Sequence, residues 1–256
     1  MTRIKLKTGA FMPTLGLGTW RMNGRKCIST VSTAIDLGYR HIDTAEMYGN
    51  ELEIGKAIKV AGIDRRELFI TTKIWPHNFQ SKDFIKAFEI SLRKLDTDYV
   101  DLLLLHWPND LIPVEETLSA MANLIDSGKV RAGGVSNFSV SQMEDALDFL
   151  DSGIVCNQVR CHYGSVPRDI INYAHLHNLV ITAYSPLKNG GISEIKILRD
   201  MADKYNKTPA QIALRWLIQQ GVVVIPKASS FDRLNENLIV TEFSISQEDI
   251  EILGVI

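Results

Sequence analysis

The sequence predicts an α/β fold, a (β/α)8 barrel of the TIM type, and three observations carry that reading. Eight short apolar runs alternate with amphipathic stretches almost to the end of the chain. Runs such as the VDLLLLH ending at His106 and the VVVIP ending at Pro226 are continuously apolar, as parallel strands covered on both faces are. The stretches between them carry helix start and stop signals. A chain of 256 residues suits one barrel, although eight strand–helix units also fit a large doubly wound sheet.

In chain order, strands are expected at Leu15–Thr19, His41–Ala45, Leu68–Ile74, Val100–His106, Ala132–Asn137, Val155–Arg160, Val180–Ser185 and Val222–Lys227. Before them, Ile4 to Pro13 around Thr8-Gly9 reads as a β-hairpin able to plug the bottom of the barrel. Gly38 follows the first helix as a left-handed stop. Ser139-Val140-Ser141-Gln142 and Thr208-Pro209-Ala210-Gln211 each place a capping hydroxyl three residues before a glutamine. Pro209 suits the first position of its helix, and Gly221 suits the end. A gap of roughly forty residues between the last two strands leaves room for an extra helix near Ser193–Asn206. Another late helix begins at Ser246-Gln247-Glu248-Asp249. No linker or charge block interrupts the pattern, so residues 1–256 read as a single domain.

Composition narrows the class. A 45% hydrophobic content with 23% charged residues is that of an ordinary soluble enzyme. The net charge of −2 is spread as mixed signs, which argues against nucleic-acid or membrane-surface partners. The start, MTRIKLKTGAFMP, has no apolar core of signal-peptide length, so a cytoplasmic location is expected. Cys27, Cys156 and Cys161 form no CxxC pair and read as free thiols. His175 and His177 do not share a helix face, and no metal site is expected.

The chemistry-bearing residues fall at strand ends. Asp43, Lys73 and His106 lie near the C-terminal ends of three consecutive strands, where barrel active sites form, and Tyr48 lies five residues beyond Asp43. Taken singly, Asp43 reads as a helix cap, Lys73 as a solvated cation, His106 as a structural imidazole and Tyr48 as a turn residue. Taken together they fit one mechanism. A free phenol ionises near pH ~10, and an adjacent ammonium lowers that value. Asp43 would hold Lys73 charged, and His106 would position a carbonyl oxygen beside the Tyr48 phenol. No side chain donates hydride, so such a site needs a bound reductant. Gly16 and Gly18 do not make a dinucleotide fingerprint, because Arg21 occupies the third glycine position; they read as a tight turn at the rim. Trp216, inside a capped amphipathic helix, reads as core.

The motifs GLGTW (16–20), GYRHIDTAEMYGNE (38–51), LFITTKIW (68–75), DLLLLHWP (101–108), GVSNF (134–138), NQV (157–159), YSPL (184–187) and IPKAS (225–229) follow one another along nearly the whole chain. In order and spacing they resemble the aldo-keto reductase superfamily. The resemblance implies an NADPH-dependent oxidoreductase acting on aldehydes and ketones, with NADH as a weaker alternative. It casts Tyr48 as the general acid, Lys73 as the group that lowers its pKa, Asp43 as the partner of Lys73, and His106 as the residue orienting the carbonyl. Tyr184 is expected to stack on nicotinamide, with Ser136, Asn137 and Gln158 on its carboxamide and Gly18 and Thr19 also against the cofactor. Ser185 and Leu187 are expected at the pyrophosphate, Lys227, Ser229 and Arg233 at the 2′-phosphate, and Glu236 and Asn237 at the adenine. Trp20, Trp75 and Trp107, with His106, would wall the substrate pocket.

Some positions depart from the family pattern. Ala228 stands where many NADPH-preferring members have serine, and Arg160 and Tyr163 replace the acid and proline common after NQV. Short loops after the fourth and seventh strands, and little chain after the last helix, predict an open pocket with broad, weak recognition of small aldehydes. The expected partner is a small carbonyl substrate, and the expected state a monomer or weak homo-oligomer. Two other classes fit the sequence less well. A nucleotide-sensing barrel without turnover would lack members of the tetrad, and an isomerase or aldolase barrel would leave YSPL and GVSNF unexplained.

Overall fold

The computed structural model describes residues 2–150 and 153–256. The chain opens with an antiparallel hairpin, β1 (Arg3–Lys5) against β2 (Phe11–Pro13). Its turn passes through Gly9 at a φ of 89°, in the left-handed region that favours glycine. Eight parallel strands follow: β3 (Leu17–Gly18), β4 (His41–Asp43), β5 (Phe69–Ile74), β6 (Leu102–Leu105), β7 (Gly133–Ser136), β8 (Ile154–Arg160), β9 (Val180–Tyr184) and β10 (Val223–Val224). Each is hydrogen-bonded to the next in sequence. The sheet closes where Leu15 pairs in parallel with Val224, the Gly16 N–H donating to the Val224 carbonyl at 2.9 Å. This is the expected (β/α)8 barrel.

Helices α1 (Gly24–Leu37), α2 (Glu51–Ala61), α3 (Ser81–Leu95), α4 (Val114–Asp126), α5 (Val140–Leu150) and α6 (Arg168–Leu176) each follow one strand. Two helices, α7 (Lys196–Tyr205) and α8 (Pro209–Gln219), lie between β9 and β10, and α9 (Phe231–Leu238) and α10 (Gln247–Leu253) come last. The late extra helices are therefore present. The capping box of α8 is complete: Thr208 Oγ1 accepts from the Gln211 N–H at 3.2 Å while Gln211 Oε1 accepts from the Thr208 N–H at 3.0 Å. Ser139 and Gln142 exchange the same pair of bonds at the start of α5. Among the described residues no helix is long and apolar enough to cross a membrane.

All eight strands stand where the apolar runs put them, but all except β8 are shorter than expected, the first and last most of all. Pro226 has no N–H to continue a ladder. The chain beyond β10 is instead held by single bonds, Ile225 N–H to the Ala183 carbonyl and Gly18 N–H to the Pro226 carbonyl, both 3.2 Å. The glycines of the GLG segment are explained by close approach, not by a rim turn. A Cβ on Gly16 would lie 2.6 Å from His41 Nδ1, and one on Gly18 would lie 2.6 Å from the Ile225 carbonyl oxygen.

Two apolar layers result. One lies between sheet and helices and includes Trp216, whose indole N–H donates to the Gly254 carbonyl at 2.8 Å. The other fills the barrel: Leu6 and Met12 from the hairpin segment pack with Phe69, Leu102, Val155, Val180 and Val223 near the strand starts. The hairpin thus plugs the N-terminal end, as expected, and leaves the C-terminal end for chemistry. Cys27, Cys156 and Cys161 are buried and free.

The seam between β3 and the chain after β10 tolerates no side chain at position 18. Gly18→Ala should destabilise the fold by about 1–3 kcal/mol, the usual range for overpacking. Chemical denaturation of the variant should show a lowered midpoint, whereas Gly49→Ala, where the added Cβ meets nothing within 4 Å and only the φ of 66° resists it, should cost less.

Candidate active site

At the C-terminal face a cleft of about 700 Å³ opens over the strand ends. Its centre is a fully buried lysine. Lys73, near the end of β5, uses all three ammonium protons: Nζ donates to Asp43 Oδ1 at 2.6 Å, to the Thr44 carbonyl at 2.8 Å and to Tyr48 Oη at 3.3 Å. Asp43 ends β4, the neighbour of β5, so strand pairing alone brings the two together. Its second oxygen, Oδ2, accepts from Gln158 Nε2 on β8 at 2.7 Å. Both carboxylate oxygens are therefore satisfied.

The carbonyl of Thr44 is placed by a second buried group. Asn50 donates from Nδ2 to the Thr19 and Met22 carbonyls, each at 2.9 Å, and accepts from Thr44 Oγ1 at 2.7 Å. It thereby ties the turn after β3 to the turn after β4. Between Asp43 and Asn50 the chain makes one 3-10 turn, Glu46–Tyr48, and this turn carries the phenol over the barrel mouth. The ring of Tyr48 sits 4.8 Å from Trp20 and 5.6 Å, edge-on, from His106, which follows β6.

Electrostatics follow from burial. Desolvation lowers the Lys73 pKa, but the charge of Asp43, then that of Tyr48, outweighs it and holds the ammonium above its ordinary value. Burial raises the Tyr48 phenol, and the opposing pull of Lys73 is the next largest influence. Lysine thus acts on the phenol in the expected direction, yet the net shift is upward. Tyr48 therefore remains protonated at neutral pH. Burial, followed by the repulsion of Lys73, pushes His106 down to about 3, so its imidazole is neutral.

Asn137, just past β7, adopts a φ of 63°, a region asparagine tolerates better than most residues. That turn points its amide back into the cleft. Nδ2 donates to the His106 carbonyl at 3.1 Å and to Ser136 Oγ at 3.0 Å, and Oδ1 accepts from the Tyr184 hydroxyl at 2.9 Å. Ser136 Oγ in turn donates to the Gln158 carbonyl at 2.8 Å. At the far end of the cleft lie Lys227, Arg233, Glu236 and Asn237. Burial, then the charges of Arg21 and Lys26, lowers the Lys227 ammonium.

The predicted residues Gly18, Thr19, Trp20, Asp43, Tyr48, His106, Trp107, Ser136, Asn137, Gln158, Tyr184, Ser185, Leu187, Lys227, Arg233, Glu236 and Asn237 all line this cleft. Three others do not. Lys73 is fully buried, Ser229 is exposed, and Trp75 packs its ring edge-on against His106 at 5.1 Å. The sequence reading missed Met47, which lines the cleft beside Tyr48, and Glu46 and Asn50, which hold its turns. Their place within the Asp43–Tyr48 segment, or two residues beyond it for Asn50, was the available signal. Among the described residues no cluster could hold a metal ion.

Removing Lys73 would leave Asp43 buried and charged with only an amide for company. Breaking a buried pair in this way costs roughly 3–5 kcal/mol. Lys73→Met should lose about that much in equilibrium unfolding at pH 7, and the double variant Lys73→Met/Asp43→Asn should recover part of it.

Comparisons with known proteins agree with this geometry. Residues 14–255 match the Aldo/keto reductase family. Methylglyoxal reductase DkgA of Escherichia coli (strain K12) is 40% identical over 252 residues, covering 97% of this chain and 91% of that protein. Glyoxal reductase of Bacillus subtilis (strain 168) is 40% identical over 249 residues, covering 97% and 90%. The crystal structure of an aldo/keto reductase from Brucella melitensis superimposes with a TM-score of 0.94 at 38% identity, covering 99% of this chain and 98% of that one.

Proposed function

The chain belongs to the aldo/keto reductase family and is an oxidoreductase, and from that premise we propose that it reduces small aldehydes and ketones to alcohols with NADPH, Tyr48 giving the proton. The observation that carries this reading is the phenol of Tyr48, held protonated 3.3 Å from a buried ammonium and facing a neutral imidazole across the cleft.

The donor set fits a phosphorylated dinucleotide. Lys227 and Arg233 line one end of the cleft, and among the described residues neither forms an ion pair with a carboxylate. A lysine crowded by Arg21 and Lys26, with an arginine on the same cleft and neither held in an ion pair, suits a doubly charged phosphate. In this reading Lys227, Ser229 and Arg233 hold the 2′-phosphate, Glu236 and Asn237 the adenosine, and Ser185 and Leu187 the pyrophosphate. Tyr184 stacks on the nicotinamide, Ser136, Asn137 and Gln158 take its carboxamide, and Gly18 and Thr19 flank it. NADH would bind more weakly for want of the phosphate. When bound, the reduced nicotinamide supplies hydride.

The protein's own residues do the rest. His106, neutral, donates a hydrogen bond to the substrate oxygen without adding charge. Tyr48 gives its proton to that oxygen as the alcohol forms, and the ammonium of Lys73 stabilises the phenolate left behind. Asp43 keeps Lys73 charged throughout. Trp20, Met47 and Trp107 offer apolar walls with few directional contacts, which favours small, unencumbered carbonyl compounds over one preferred large substrate. Relatives named for methylglyoxal and glyoxal reduction support α-dicarbonyls as the first substrates to try. A monomer or weak homo-oligomer acting in the cytoplasm, without nucleic acid, completes the reading.

Tyr48→Phe removes the transferable proton and keeps the ring. Turnover of methylglyoxal with NADPH should fall by about 10²–10⁴-fold, the usual share of a general acid, while NADPH still quenches tryptophan fluorescence. Retention of most activity would remove Tyr48 from the mechanism.

Arg233→Ala tests the cofactor. A lost hydrogen bond to a charged group is worth about 1.5–3 kcal/mol, so NADPH should bind roughly ten- to a hundred-fold more weakly. NADH titrated in parallel should be almost unaffected; equal losses would take the phosphate away from Arg233.

A further inference from the structure

His106 is the least anchored member of the constellation. Its backbone is fixed, its N–H donating to the Ile74 carbonyl at 3.0 Å and its carbonyl accepting from Asn137. Its ring is not: Nδ1 is buried without a hydrogen-bond partner, and among the described residues neither ring nitrogen bonds to the protein. An imidazole positioned by a hydrogen bond has one nitrogen committed to a carbonyl or carboxylate. Here packing alone remains. Two rings meet the imidazole edge-on, Tyr48 at an interplanar angle of 71° and Trp75 at 87°.

Those two rings belong to separate turns, and one side chain ties the turns together. Glu46 begins the 3-10 turn that ends at Tyr48. Its Oε2 accepts from the backbone N–H of Trp75 at 2.9 Å, and its Oε1 accepts from Asn78 Nδ2 at 2.6 Å. The Trp75 turn is held in addition from the next loop, where Asn109 Nδ2 donates to the Pro76 carbonyl at 2.9 Å. Glu46 touches neither His106 nor the cleft, yet it fixes the spacing of both walls between which the imidazole stands.

We propose that Glu46 is a positioning residue for His106, its carboxylate latching the Tyr48 turn to the Trp75 turn so that the two rings set the orientation of an imidazole nothing else holds. The inference rests on the reading of His106 as the group that orients the carbonyl. The hydrogen bonds of the latch need two polar positions on residue 46, one of them an acceptor for the Trp75 N–H, and no particular charge. A glutamine can keep the bond from the Trp75 N–H through its oxygen, and Asn78 can turn its own amide to accept from the glutamine nitrogen. An alanine can do neither.

The test compares Glu46→Ala with Glu46→Gln by two readouts. The first is the imidazole region of the nitrogen-15 NMR spectrum of the cofactor-free protein, which holds six histidines, with His106 assigned by its loss in His106→Asn. The second is kcat/KM for methylglyoxal, with NADPH affinity measured separately by fluorescence titration. Glu46→Ala should shift or broaden the His106 resonances and lower kcat/KM by roughly ten- to a hundred-fold, as misplacement on the 1 Å scale does, with NADPH affinity within about two-fold. Glu46→Gln should keep wild-type resonances and stay within about three-fold of wild-type kcat/KM. A latch of purely structural effect would lower the melting temperature and leave resonances and kcat/KM at 25 °C alone, and that result overturns the proposal. So does equal impairment of the two variants. Should Glu46→Ala fail to fold, Asn78→Leu removes one of the two bonds and should reproduce the His106 shift in weaker form; an unchanged spectrum would again overturn it. If the wild type reduces no carbonyl compound, the functional reading fails, and the NMR comparison still decides the latch.

Discussion

A lysine with no exposed surface lies 2.6 Å from an aspartate almost as deeply buried, and the top of the barrel is arranged around keeping both charged. Charges at this depth are costly unless every donor and acceptor is met. Here they are met from four directions. Asp43 comes from the adjacent strand, the Thr44 carbonyl from the turn behind it, Tyr48 from the loop above, and Gln158 from the far side of the barrel. Satisfying the buried pair therefore fixes the connection after β4 and, through Asp43 and Gln158, links opposite sides of the barrel. Asn50 extends that order to the turn after β3. The pair is better understood as the constraint that shapes the site than as a source of stability, because a well-packed apolar pair in its place can be as stable or more so.

The same burial determines what the neighbouring groups can do. Around Tyr48 desolvation outweighs the attraction of Lys73, so the phenol is a proton-holder in the resting protein and not a half-ionised one. Were the phenol to lose its proton, the phenolate would stand in a low-dielectric site where the lysine charge compensates it. His106 is pushed the opposite way by the same two causes, burial and the lysine charge, and is left neutral. A protonated imidazole beside a buried ammonium would be repelled; a neutral one can still donate a hydrogen bond. One fixed charge thus assigns the protonation state of both groups facing the cleft.

Much of this was legible in the sequence because strand ends are legible. Continuous apolar runs such as 100–106 and 222–226 mark parallel strands, and once their order is known, Asp43, Lys73 and His106 must converge. The plug was legible too, since Thr8-Gly9 between short alternating segments is a hairpin signal and Leu6 and Met12 had no other place to be buried. Contacts across the barrel were not. Gln158 and Asp43 are 115 residues apart, and nothing in either motif says that the amide nitrogen is spent on the carboxylate. The GLG glycines read as a turn because close approach of Gly18 to Ile225 depends on barrel closure, which no local pattern records. Net pKa direction was likewise hidden: the sequence supplies the lysine beside the phenol, but only packing supplies the desolvation that outweighs it.

The placement of Trp75 shows where motif reading and geometry part. All three tryptophans follow strand ends, and all three were expected to wall the pocket. Trp20 and Trp107 do line the cleft, each with two-fifths of its surface exposed. Trp75 is not among the lining residues; its backbone N–H donates to Glu46 and its ring meets the His106 imidazole edge-on at 5.1 Å. Its ring is therefore a neighbour of the imidazole. A ring that lines the cleft and a ring packed against His106 look identical in sequence, because only the turn that carries each ring decides between the two. The barrel mouth thus sets a few apolar surfaces beside turns that hydrogen bonds hold to one another.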